Sequence, residues 1–223
     1  MDASLIQTIA VYAVPVIFAI TLHEAAHGYA AYRLGDNTAY MLGRVSLNPL
    51  RHIDPIGTIV MPLLLYFITN GSFVFGYARP VPVLFRNLRN PRWGSLGVAA
   101  AGPLCNFMQA FAWVLLSMIL FAFGIHEPFF IRMALAGIGV NIVMGVLNLF
   151  PLPPLDGGRV LVALLPVRLG YALSRIERYG FFIVLLLVWS GIMTRFWLAP
   201  LYDFCSSILL SLFTPLAAFF SNT

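Results

Sequence analysis

Charged residues are scarce in this 223-residue chain: Asp, Glu, Lys and Arg make up 9% of it, hydrophobic residues 61%, and the mean hydropathy is +0.90. That balance excludes an ordinary soluble domain. Lysine is absent, so all 13 basic residues are arginine; no chemistry follows from that choice. Only 2 cysteines occur. Cys105 and Cys205 lie in or beside apolar segments at no disulfide or metal-binding spacing, and read as small buried hydrophobes. No basic n-region precedes the first apolar stretch, which carries Asp2 instead and runs straight into a polar motif, so it reads as a retained helix rather than a cleaved signal peptide. The net charge of +5 would suit nucleic acid in a soluble protein. Here the arginines sit in short loops between apolar runs, where membrane topology accounts for them, and no nucleic-acid partner is expected.

What is abundant is apolar sequence in runs long enough to cross a bilayer, which takes about 20 residues per helix. Residues 5–34 form a near-continuous helix-forming run closed by Gly35. A polar stretch rich in Gly, Asn and Pro follows, then an apolar run at 56–68 with Pro62 at its centre, short for a span and broken by the proline. Residues 70–93 hold too much Pro, Gly and Arg for a lipid-facing helix, and their FVFGY and PVPVLF pieces look extended. Further apolar runs cover 95–123, 129–150, 179–197 and 202–220, with a partly amphipathic piece at 160–169. The reading is an all-α integral membrane protein. It is a polytopic helical bundle with about five spans, a re-entrant or interfacial segment at 56–68 and a short β-hairpin region, all in one membrane-embedded domain over 1–223. Arg33, Arg44, Arg51, Arg79, Arg86, Arg89 and Arg92 crowd positions 33–92, and Arg159, Arg168, Arg175 and Arg178 mark a later loop. Both regions are expected to face the cytoplasm, with the N-terminus outside and the C-terminus inside; Arg195 does not fit that pattern.

Residues 23–27 read HEAAH. Two histidines at i and i+4 share a helix face about 5–6 Å apart, which suits one tetrahedral zinc ion, and Glu24 beside the first is placed to act as base towards a water activated by the metal. Each ionisable side chain in a membrane helix costs about 2.5–3.5 kcal/mol on insertion scales, so three within five residues call for a compensating interaction, and metal binding is the simplest. The plain alternative is polar residues near the helix end reaching water. A catalytic zinc takes a third protein ligand. His52, Asp36 and Asp54 lie in loop or turn sequence, and His126 and Glu127 at the far membrane face. Asp156 stands out because it follows a proline-broken helix end, NLFPLPPL, and precedes Gly157 and Gly158, a break that can turn a side chain inward at membrane depth. An ordinary Asp-Gly surface turn is its alternative.

With these residues in view, the chain resembles the site-2 protease family of intramembrane zinc metalloproteases, in its minimal form without a PDZ module. HEAAH at 23–27, AAAGPLCN at 99–106 and NLFPLPPLDGG at 148–158 match that family's motifs in order, and the resemblance covers about residues 5–170. It implies one catalytic Zn²⁺ on His23, His27 and Asp156, Glu24 as catalytic base, and Asn148 steadying the scissile carbonyl or its oxyanion. From the residues alone, Asn148 reads equally as an interhelical hydrogen bonder. Asn106 has a packing role or a substrate contact, and Gly102 and Pro103 permit close helix approach. Phe75, Gly76 and Tyr77 belong to the extended pieces that could take up an unwound substrate as an added strand. The implied partners are membrane proteins with transmembrane helices and the lipid bilayer itself, and the implied place is a bacterial cytoplasmic membrane.

Three other readings stand beside this one. A zinc transporter needs metal sites along a pathway, whereas the intramembrane ionisable groups here gather in one constellation. An inactive scaffold would have no need of Glu24. A prenyl-protein-processing enzyme would use a downstream glutamate ligand, and neither Glu127 nor Glu177 has a supporting motif.

Overall fold

A computed structural model describes residues 3–68 and 76–221. Helix α1 (Ala3–Leu34) ends where Gly35 takes φ +116°. Gly35 N donates to Tyr32 O and Asp36 N to Ala31 O, a Schellman closure that turns the chain out of the helix. A single turn, α2 (Thr38–Met41), follows. Asp54 then caps a π-helical turn, Pro55–Val60, that continues into α3 (Met61–Ile68). Residues 76–84 are irregular, and the chain re-enters a helix at Asn90, whose side chain accepts from Trp93 N at 3.2 Å to cap α4 (Pro91–Ala122). Gly124, at φ +65°, closes α4 as Gly35 closes α1. Then come α5 (Pro128–Asn148), α6 (Asp156–Leu164), α7 (Val167–Ser174), α8 (Glu177–Trp189) and α9 (Ala199–Ser221).

The centre is the packing of α1, α4 and α5 on one another. What they bury is mostly small: Ala19, Ala31, Ala99, Ala110, Ala134 and Ala136 are inside, while Phe18, Leu104, Met108 and Phe121 are exposed. Lipid tails are as apolar as leucine, so nothing drives large side chains inward. Close backbone approach and interhelical hydrogen bonds hold such helices together instead.

Three helices are long and apolar enough to cross a membrane: Ile6–Leu34, Pro91–Ala122 and Pro128–Asn148. The expected five spans are not reached. Among the described residues, Glu177–Trp189 and Thr194–Ser211 pass only as a pair bent by 81°, which makes four spans at most. The cause is local: Gly191 turns the chain at φ +74° and a π-helical stretch, Thr194–Leu198, follows. With only 13 residues, α8 falls short of the roughly 20 that a crossing needs.

The β-hairpin expectation is corrected as well. No strand occurs among the described residues, and 76–84 bonds to loops and side chains rather than to a ladder. Residues 73–75, and with them Phe75, lie outside the described residues. The 56–68 segment is helical but short. Tyr77 N donates to Gly57 O at 3.0 Å and Thr58 Oγ1 donates to Tyr77 O at 2.9 Å, so Tyr77 lies beside the start of that segment.

Candidate metal centre

HEAAH falls in the last three turns of α1, on the face turned to α4. His23 Nδ1 lies 2.6 Å from Asn106 Oδ1, and His27 Nδ1 lies 2.7 Å from Val98 O. A carbonyl can only accept, so the His27 proton sits on Nδ1. The Asn106 amide nitrogen is occupied with Ala19 O at 3.3 Å and Asn141 Oδ1 at 3.0 Å. Its oxygen therefore faces His23, and that ring too carries its proton on Nδ1. With Nδ1 as the donor in each ring, the neutral form of each imidazole presents its Nε2 lone pair to the other, 3.0 Å away, an arrangement that a shared cation accommodates.

Asp156 completes the group from more than a hundred residues away. Its Oδ2 is 3.3 Å from each Nε2 and is buried with no hydrogen-bond donor of its own. Two donor atoms held at about 2.0–2.1 Å by one tetrahedral zinc stand about 3.3–3.4 Å apart. The two nitrogen–oxygen spacings match that set and the nitrogen–nitrogen spacing is 0.3 Å shorter, and two imidazole nitrogens with one carboxylate oxygen are ligands that zinc accepts. Among the described residues this is the one group of three or more His, Cys, Asp or Glu able to share an ion. A chain of such sites, as a transporter would need, is not found there. Glu177 forms an ion pair with Arg159 at 2.9 Å instead.

The loop that delivers Asp156 depends on close approach. Asp156 is the first residue of α6, and the loop before it, with a cis Pro153–Pro154 bond, lies against α6 and α8. A Cβ on Gly158 would stand 2.1 Å from Pro153 N, and one on Gly180 1.8 Å from Pro153 O. Gly102 does the same for α4 against α1: a Cβ there would lie 2.4 Å from His27 Nε2 and 2.6 Å from His23 Cε1.

A cavity of about 230 Å³ opens onto the three ligands and is also lined by Glu24, Asn148, Val81 and Arg159. Glu24 Oε2 accepts from Val81 N at 2.9 Å, leaving its other oxygen free of that bond. Asn148 donates its amide to Met144 O at 3.0 Å and borders the cavity. Other sequence candidates lie elsewhere. Asn106 is fully buried behind His23 with its amide occupied, so it bonds to His23 and has no surface for substrate. Tyr77 packs against Phe181, with ring centroids 6.0 Å apart. Gly76 lines a separate cavity of about 1020 Å³ between α1 and α5 that does not include the ligands. It is Pro80, Val81, Val83 and Phe85 that reach the metal cavity. His52 is buried, bonded to Ser46 O at 2.8 Å, and stands apart from the ligand group. Sequence reading passed over Asn141 and the backbone groups of Val81 and Val98. Asn141, an amide in an apolar helix, carried a signal; the backbone groups carried none.

The profile of Peptidase family M50 matches residues 127–191. YwhC of Bacillus subtilis, named as a candidate zinc metalloprotease, is 37% identical over 183 residues, 78% of each chain. Rip2 of Mycolicibacterium smegmatis, named in the same way, is 30% identical over 190 residues, 84% of this chain and 70% of its own. The zinc metalloprotease MJ0392 of Methanocaldococcus jannaschii is 34% identical over 85 residues, 38% of this chain and 24% of its own. No solved structure matches the chain. The apolar helices, the converging ligand atoms and these relatives agree, and the chain belongs to peptidase family M50, the site-2 protease family.

Proposed function

We propose that the chain is an integral membrane zinc endopeptidase that hydrolyses peptide bonds in or near the transmembrane segments of other membrane proteins. His23, His27 and Asp156 hold one zinc ion, and Glu24 is the catalytic base. The observation that carries this is the meeting of two bare Nε2 atoms with an unpartnered carboxylate oxygen, beside a free-ended glutamate and among helices long enough to span.

Zinc, when bound, supplies Lewis-acid polarisation and makes water nucleophilic near neutral pH. The rest belongs to the chain. Glu24, steadied through Oε2 by Val81 N–H, takes a proton from the attacking water and hands it to the leaving amine. Asn148, anchored on Met144 O, offers its amide to the carbonyl as negative charge develops. Apolar walls from Val81, Val83, Phe85 and Val98 limit water to what the reaction uses. Carbonyls in a substrate helix are hydrogen-bonded and shielded, so the substrate unwinds before attack, and the irregular 80–85 segment beside Glu24 is suited to receive the extended piece.

The test compares wild type with Glu24→Gln, purified in detergent, for zinc content and for cleavage of a polypeptide with one transmembrane segment. Equal zinc with cleavage by wild type alone is expected, the variant falling by about 100-fold or more as loss of a general base does. Equal cleavage by both would remove the proposal.

A further inference from the structure

We infer that Asn141, acting through Asn106, is a positioning residue that sets the tautomer and heading of the His23 imidazole. This rests on the reading of His23 as a zinc ligand. Asn141 is fully buried on α5, and its Nδ2 donates to Gly137 O at 2.9 Å. That carbonyl can only accept, so the Asn141 oxygen is the atom turned to Asn106, where it takes the amide hydrogen at 3.0 Å. Asn106, fully buried too, is left with its oxygen on His23 Nδ1 at 2.6 Å.

Each amide has two ends that sterics scarcely distinguish, and the chain of bonds decides between them. Were Asn106 reversed, its NH₂ would face His23 and Nδ1 would have to accept. The ring proton would then move to Nε2, the atom that meets Asp156. His27 needs no such relay, because Val98 O, a backbone acceptor with no alternative orientation, fixes its tautomer directly. His23 faces a side chain instead; Ala19 O takes one Asn106 amide hydrogen at 3.3 Å, and Asn141 takes the other at the shorter 3.0 Å, reinforcing that orientation by tying it to a backbone carbonyl of α5. A ligand on α1 is thereby set by a residue on α5 that touches neither metal nor substrate. Partners of this kind are worth about 10–100-fold in metal affinity.

The test measures the zinc dissociation constant of the detergent-solubilised full chain by competition with a chromophoric chelator, and the histidine ¹⁵N spectrum of the zinc-free protein. Asn141→Leu and the smaller Asn141→Ala both remove the acceptor; Ala keeps the test open if Leu does not fit. Asn141→Asp, kept neutral by burial, retains the acceptor and an O–H for Gly137 O. Expected are zinc binding weakened by about 10–100-fold in the Leu and Ala variants, loss of the single Nδ1–H signature of His23 in both, and recovery of both readouts in the Asp variant. Wild-type affinity in either folded acceptor-free variant, or an Asp variant as weak as they are, overturns the relay. His23→Ala separates the two levels. If it keeps wild-type zinc affinity, the metal centre itself is refuted; if it loses zinc while Asn141→Leu does not, only the relay falls.

Discussion

At the scale of single residues, the centre works because polar atoms in an apolar interior have no free choice of partner. Leaving a buried carboxylate oxygen without a donor costs several kcal/mol. The Asp156 Oδ2 position is therefore tolerable only with a cation or a proton at the same place. Gly102 tests how tight that place is. Its missing Cβ lets α4 lie against the two imidazoles, and a methyl at 2.4 Å from His27 Nε2 must push the ring out of the ligand set. Gly102→Ala is expected to lower zinc occupancy to a few per cent of wild type in metal analysis of purified protein, while far-ultraviolet circular dichroism shows the same helix content. Full occupancy would mean that α1 and α4 can separate without disturbing the ligands.

At the scale of elements, two irregular segments carry parts of the site that helices alone could not bring in. One is the proline loop pressed against α8, which starts α6 with Asp156 already pointing inward. The other is 76–90, pinned by Asp36 just past the end of α1. Burial by itself would raise the Asp36 carboxyl. Hydrogen bonds from Thr38, from Leu84 N at 2.7 Å and from Asn87 outweigh it and hold the group below its ordinary value. Because the folded value is the lower one, this carboxylate stabilises the fold fully at neutral pH. The contribution fades as pH falls below about 4, where the unfolded chain binds the proton first. Asp36→Asn is expected to cost about 1–3 kcal/mol at pH 7 and to show a thermal midpoint that converges with wild type in acid. A gap of constant size from pH 7 to pH 3 would contradict the role given to Asp36.

At the scale of the whole molecule, α4 runs antiparallel to both α1 and α5, which pack on each other as well, and the His23–His27–Asp156 group sits towards the end where α1 finishes and α4 begins. The arginines of 33–92 gather at that end, so it is expected to face the cytoplasm. With Cys105 and Cys205 replaced, single cysteines at Arg86 and His126, both exposed, should react with a membrane-impermeant maleimide from opposite faces, position 126 in intact cells and position 86 only after permeabilisation. Labelling of both from one face would mean that α4 does not cross.

The sequence alone determined the apolar helices and the motif that puts two imidazoles on one face, and it singled out Asp156 as the candidate carboxylate beside the alternative of a surface turn. All of these follow from local periodicity, from the cost of polar groups among apolar ones, and from the break that prolines impose. It read the FVFGY and PVPVLF pieces, 73–77 and 80–85, as a hairpin, and no strand occurs in their described residues, because alternation between prolines signals extended backbone without saying whether a pairing edge exists. It counted two spans at the C-terminal end, because hydropathy does not see the turn at Gly191. What only the tertiary structure decided is which atoms of His23, His27 and Asp156 face one another. Tautomer and amide orientation depend on acceptors such as Val98 O, Ala19 O and Asn141 Oδ1. These come from other turns and other helices, and no local pattern encodes such long-range contacts.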